Sequence, residues 1–224
     1  AWPSMVWQTY DYYFEPTAAY FGCKKGNEPL HVQWNSATND VEVVNYSAGN
    51  HPSLTVRAQL INIDGSVAWE KSAQVASSED TTLRPFALEF PASLSAAHFV
   101  KLWLMDGEDI VSDNFYVRGT EEGNYQALRQ MPHVELEQSI ECERTADGTW
   151  RGTLTLTNAT ATPALMVRVN VVGKEDGDQI LPIFYSDNYF SLLPAEKKQI
   201  TFHFKDEDTR GCQPQVVVTG YNVE

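Results

Sequence analysis

Cysteine is scarce. Cys23, Cys142 and Cys212 are the only three in 224 residues, too few for a disulfide scaffold and too scattered for a metal-ligand cluster. A Cys142–Cys212 pair stays open beside the plainer expectation of ordinary buried thiols. No stretch reaches the ~20 apolar residues that a membrane-spanning helix needs, so no membrane partner is expected. Basic charge is short too: 16 Lys and Arg stand against 30 Asp and Glu, a formal charge of −14. A phosphate backbone demands the opposite surface, which speaks against nucleic acid as a partner. Walker loop, nucleophile elbow, dinucleotide fingerprint and metalloprotease helix are all missing, so neither cofactor nor metal is expected. The histidines His31, His51, His98, His133 and His203 never stand at metal-ligand spacing and read as hydrogen-bonded structural residues. An initiator Met and a signal-peptide pattern are also lacking. The start at Ala1-Trp2-Pro3 is read as that of a portion of a longer protein.

What is present is concentrated aromatic surface, followed by strand patterns. Trp2, Trp7, Tyr10, Tyr12, Tyr13, Phe14, Tyr20 and Phe21 crowd a segment that no single strand or helix face could bury. Such a segment needs a missing partner or must fold back on the rest. Pro16-Thr17 opens a short helix over 17–25 and Gly26 stops it. From His31 the reading is all β. Leu54, Val56, Ala58 and Leu60 alternate with Thr55, Arg57 and Gln59, and the period-2 pattern returns in Val100–Leu104 and Phe115–Val117. Asp64-Gly65 and Asp106-Gly107 read as hairpin turns. Gly119–Pro132 is polar, holds Gly and Pro, and lacks alternation. Beyond it Val134–Leu136, Leu154–Leu156, Val167–Val171, Ile200–Phe204 and Val216–Val218 form a second series. The expectation is two consecutive immunoglobulin-like β-sandwiches, 31–119 and 133–224, joined by a linker at 120–132.

Candidates for chemistry are few. Glu108-Asp109 and Glu121-Glu122 fall in turns, where neighbouring carboxylates are solvated rather than set ~5–5.5 Å apart across a cleft as in a retaining glycosidase. No residue is assigned a catalytic role. Asp206-Glu207-Asp208 reads as an exposed turn with a weak cation site left open. Asn45-Tyr46-Ser47 and Asn158-Ala159-Thr160 match the glycosylation pattern. The segment Ile180–Pro194 stands apart, because it mixes Tyr185, Tyr189 and Phe190 with Ser186, Asp187 and Asn188 and breaks strand alternation. One reading is a core loop in which Asp187 and Asn188 hold backbone groups. The other is a sugar-facing loop, with Tyr185, Asp187, Asn188 and Tyr189 as its contacts. The first is favoured on the residues alone.

Ala1-Trp2-Pro3-Ser4, Tyr10-Asp11-Tyr12-Tyr13, Ala19-Tyr20-Phe21-Gly22, Asn27–Gln33 and Val41–Asn45 resemble glycoside hydrolase family 2. The resemblance is to the branch of exo-β-glucosaminidases and mannosylglycoprotein endo-β-mannosidases, related to β-mannosidases, and Leu181–Pro194 is similar to that branch's C-terminal domain. It implies that residues 1–30 are the remnant of a catalytic (β/α)₈ barrel, whose acid and nucleophile lie upstream of Ala1. It implies further that the partners are that barrel in the same polypeptide and the parent's carbohydrate substrate, in the periplasm or outside the cell. Trp2 then sits near the barrel's C-terminal face, as packing or as a substrate wall, with packing favoured. The Pro194-Ala195-Glu196 turn departs from the family's Pro-Gly-Glu, and a different turn type is expected there because Ala resists positive φ. The competing reading is a free-standing carbohydrate-binding or adhesion module of immunoglobulin type.

Overall fold

The computed structural model describes residues 9–224. Trp2 and Trp7 therefore lie outside the described residues. The aromatic segment leads into α1 (Ala18–Gly26), whose opening turn is set by the Thr17 carbonyl accepting from the Tyr20 and Phe21 amides. The chain divides into two compact units, one from Lys24 to Met131 and one of the described residues up to Cys23 with Pro132–Glu224.

The first unit holds β1 (Leu30–Trp34), β2 (Asp40–Asn45), β3 (His51–Asn62), β4 (Val67–Ser77), β5 (Thr81–Ala87), β6 (Ala97–Asp106) and β7 (Asp109–Gly119). They pair antiparallel in two sheets, β1-β2-β5 and β4-β3-β6-β7. In β3 the alternation does what period 2 requires: Leu54, Val56, Ala58 and Leu60 are fully buried. They face Val32, Val41 and Val43 of the other sheet in one core with Val100, Leu102 and Leu104. The two Asp-Gly pairs lie where β3 meets β4 and β6 meets β7, with Gly65 and Gly107 at positive φ.

The second unit holds β8 (Glu137–Arg144), β9 (Thr149–Thr157), β10 (Ala164–Gly173), β11 (Phe184–Tyr185), β12 (Phe190–Leu192), β13 (Lys197–Lys205) and β14 (Pro214–Thr219). The sheets run β11-β13-β9-β8 and β12-β10-β14. Leu154, Leu156, Val167, Val169, Val171, Ile200, Phe202 and Phe204 fill the space between them, and Phe21 joins that core. The architecture is the immunoglobulin-like β-sandwich.

Three local expectations need correction and a fourth is refined. Val134–Leu136 is not a strand: Val134 makes one parallel bridge to Val223, and pairing begins at Glu137. Val134 and Leu136 are apolar because they are core, not because they are strand. Cys142 and Cys212 form no disulfide, and the side chains of Cys23 and Cys142 are exposed rather than buried. Ala195 takes φ +64° after all. With Pro194 before it and the Glu196 amide donating to the Leu193 carbonyl at 3.0 Å, the turn is type II. Finally, Asp206-Glu207-Asp208 is a turn as expected, of 3-10 type, in which the Asp206 and Asp208 carboxylates have partners within the fold. Asp206 accepts from Trp150 Nε1 at 2.8 Å and pairs with Arg144, while Asp208 caps the Lys205 amide.

Candidate functional site

Residues 184–192 and the segment 9–21 form the candidate site, both within the second unit. β12 pairs with β10 at Val167↔Phe190. Continuing that register by one step of two residues would bring residue 188 opposite Val169. The backbone cannot follow, because Tyr189 turns to φ +56°. Asn188 replaces it with a side chain: its Oδ1 accepts the Val169 amide and its Nδ2 donates to the Val169 carbonyl, both at 2.8 Å. The same Oδ1 accepts the Tyr189 amide at 3.0 Å, which holds the turn. Asn188 is 5% exposed, and these three bonds all go to backbone.

Its neighbours divide by exposure. Tyr185 is buried, its hydroxyl accepts the Val171 amide at 3.1 Å, and burial pushes its phenol well above the ordinary value of 10.0. Asp187 is half-buried. Its Oδ1 accepts the Asn188 amide at 2.8 Å and its Oδ2 meets Lys198 Nζ at 2.6 Å. Lys198 also lies over the Phe190 ring, 5.0 Å from its centroid. The structure thus brings Tyr185, Asp187, Asn188 and Tyr189 into one turn, with only Asp187 and Tyr189 part-exposed. Trp2 remains outside the described residues.

A contact missed in the sequence completes the arrangement. Asp11 accepts the amides of Tyr13 and Glu15, folding residues 9–17 into a closed loop that ends with Thr17 donating to the Thr9 carbonyl. This aims Glu15 at the sandwich. Its Oε1 pairs with Arg168 and lies 3.5 Å from the Tyr189 hydroxyl, and its Oε2 accepts from Gln179 at 3.1 Å. Phe21 packs against Tyr189 with centroids 6.1 Å apart. Burial raises the Tyr189 phenol pKa above its ordinary value, and Glu15 adds to that shift. On the outer side of the loop Tyr10, Tyr12, Tyr13 and Phe14 stay 51–64% exposed. Nothing in the sequence around Glu15 distinguishes it, since its partners lie more than 150 residues away.

The polar groups of the arrangement hold the turn and the loop in position. Glu108, Asp109, Glu121 and Glu122 are exposed beside turns. Among the described residues no group of three or more His, Cys, Asp or Glu is placed to hold a metal, and no helix is long and apolar enough to cross a membrane. The sequon asparagines are closed to glycan in the folded chain. Asn45 Nδ2 donates to the Gly49 carbonyl and Ser77, and Asn158 Nδ2 donates to the carbonyls of Thr162 and Leu192.

With this geometry in hand, similarity to known proteins is informative. Residues 114–223 match the family described as the exo-β-D-glucosaminidase Ig-fold domain. An exo-β-D-glucosaminidase of Streptomyces avermitilis is 32% identical over 99% of this chain and 27% of its own length. A mannosylglycoprotein endo-β-mannosidase of Lilium longiflorum is 26% identical over 99% of this chain and 30% of its length. The crystal structure of the Amycolatopsis orientalis exo-chitosanase CsxA superposes with a TM-score of 0.91 at 27% identity, covering 99% of this chain and 29% of that one. The chain thus spans between a quarter and a third of the relatives it matches.

Proposed function

From the match of residues 114–223 to the exo-β-D-glucosaminidase Ig-fold domain, we propose that the whole chain is the non-catalytic C-terminal portion of a glycoside hydrolase. Its partner is a catalytic barrel in the same polypeptide, which it buttresses and whose substrate pocket it helps bound. The observation that carries the reading is the loop at 9–17. It is anchored to the sandwich through Glu15, yet it displays four aromatic side chains more than half exposed. Tyr10 stacks on Phe14 and Tyr12 meets Tyr13 edge to face, yet all four rings stay more than half exposed. Apolar area of this kind belongs against another surface. A free-standing binding module has no use for it, whereas the end of a barrel does.

On this reading the part-exposed Asp187 and Tyr189 line the pocket. Tyr185 and Asn188 hold the turn in place as positioning residues. The parent's substrate is a β-linked amino sugar, and a polymer of such units places the enzyme in the periplasm or outside the cell. The deciding experiment is to read the frame upstream of Ala1 in the gene and to isolate the native protein. A barrel with two strand-end glutamates in one polypeptide with this chain supports the proposal. A native protein consisting of this chain without a barrel overturns it.

A further inference from the structure

The β11-β13-β9-β8 sheet turns Leu154, Phe202 and Phe204 into the core, so alternate residues stand on its outer face. Strand register places Glu143, Arg151, His203 and Phe184 in one cross-strand row. Glu141, Thr153 and Thr201 form a second row two residues along. Two residues of strand set these rows about 7 Å apart. Between them runs an open groove over Cys142, Gly152 and Phe202.

The groove has a polarity. At one end is the exposed His203 ring, held upright because Phe184, on the sheet-edge side, stacks on it at 5.0 Å and 15°. One His203 face is thereby occupied and the other is left toward Arg151 and the groove. At the opposite end are Glu141 and Glu143. Neither they nor Arg151 makes an ion pair among the described residues, although Arg151 is the cross-strand neighbour of Glu143. The middle offers hydroxyls that both donate and accept, and a guanidinium with five donors. A bare aromatic face attracts both the C–H face of a sugar ring and an ammonium group. Uncommitted carboxylates favour the cation.

We propose that this face is a second carbohydrate site, separate from the 184–192 turn, that holds a β-linked amino-sugar oligomer. His203, backed by Phe184, stacks on a ring, Thr153, Thr201 and Arg151 meet hydroxyl and ring oxygens, and Glu141 and Glu143 take the ammonium. The identity of the sugar rests on the proposed parent enzyme; the groove itself does not. In a multidomain hydrolase such a site keeps a polymer chain near the enzyme between cleavage events, raising its effective concentration.

The test is titration of the 224-residue chain with a β-1,4-linked glucosamine tetramer, followed by NMR shift changes and calorimetry. A dissociation constant on the order of 1 mM is expected for so shallow a site. His203→Ala and the double change Glu141→Gln with Glu143→Gln should each weaken binding at least fivefold, with the thermal midpoint unchanged because all three side chains are exposed. Salt at 0.5 M should weaken it too, since screening at that strength acts within a few ångströms. Absence of binding at 10 mM overturns the site, as does binding that survives these substitutions. An N-acetylated tetramer that binds equally well overturns the role given to the carboxylates. A barrel upstream combined with no binding removes this site and leaves the parent reading standing. Binding by a chain that natively stands alone does the reverse.

Discussion

Asn188 and Val169 pair as two strand residues would, except that one partner is a side chain: both hydrogen bonds are 2.8 Å and both are buried. Asn188→Ala leaves the amide and carbonyl of a 1%-exposed Val169 without partners. Unmade buried hydrogen bonds are expensive, so a loss of about 2–3 kcal/mol is expected in urea unfolding of the unit containing Pro132–Glu224. Asn188→Asp should do worse, because it keeps the acceptor, deletes the donor and sets a negative charge against the Val169 carbonyl. Equal or milder destabilisation by Asp would show that the amide donor does not matter.

The type II turn at Leu193–Glu196 places Ala195 at φ +64°, where an L side chain crowds its own backbone. Ala195→Gly relieves that crowding but gives the unfolded chain more freedom. The net expectation is a gain of about 0.5 kcal/mol, or roughly 1–2 °C in thermal midpoint. A fall in the midpoint would mean that the turn bears no strain at Ala195.

Glu28 lies in a partly buried network. Burial alone would raise its pKa, but hydrogen bonds from His31, Ser112 and Lys25, with the charge of Lys25, hold it below the ordinary 4.5. A carboxylate with a depressed folded pKa contributes stability that is fully present above its unfolded pKa and lost as pH falls through the folded one. Acid unfolding of the unit from Lys24 to Met131 should therefore steepen below pH 4.5. Glu28→Gln, which cannot titrate, should flatten that limb while lowering stability at neutral pH. An unchanged slope would assign the acid sensitivity elsewhere; Glu42 and Glu70, both also depressed by their hydrogen bonds, come next.

Gly152 faces Phe202 across the β9–β13 pair, and a Cβ there would lie 2.1 Å from the ring. Phe202 is 2% exposed and packed between Tyr185 and Phe204, so the ring has little room to yield. Overpacking of this kind costs about 1–3 kcal/mol. Combining Gly152→Ala with Phe202→Leu should recover part of that loss, read as a non-zero coupling in a double-mutant cycle. Strict additivity of the two changes would rule out the steric explanation.

Strands with one buried face were legible in the sequence. Leu54–Leu60 shows it, since alternate burial leaves a period-2 trace, and Asp64-Gly65 and Asp106-Gly107 mark their hairpins because positive φ selects glycine. β8 was not legible, for all eight of its residues are exposed and no core imposes alternation. Ala195 misled for a different reason: its turn geometry is imposed by the flanking pairing, with the Ala195 amide held by the Asn158 carbonyl at 2.8 Å. In the candidate site, broken alternation flagged Tyr185–Phe190 but not which side chains face inward. Glu15 and Arg168 left no trace, because a contact between residues so far apart writes no local pattern.

The final prediction separates binding from scaffolding at Asp187. Its Oδ1 accepts the Asn188 amide, and its Oδ2 pairs with Lys198 where both side chains are about a quarter exposed. Asp187→Asn keeps the first bond, since an amide oxygen accepts as well, and removes only the charge. A part-exposed ion pair contributes no more than about 1 kcal/mol, so the thermal midpoint should move by less than 3 °C. If the carboxylate faces an amino sugar in the full-length enzyme, kcat/KM on an aryl β-glucosaminide should fall at least tenfold, because an ammonium loses its counter-charge. Lys198→Met supplies the control. It frees Asp187 without neutralising it, so kcat/KM should hold or rise if Asp187 meets substrate, and should fall in step with Asp187→Asn if the pair merely shapes the turn. Kinetics unchanged in Asp187→Asn, with a midpoint lowered as in Asn188→Ala, would make the whole turn a structural device and remove it from the substrate pocket.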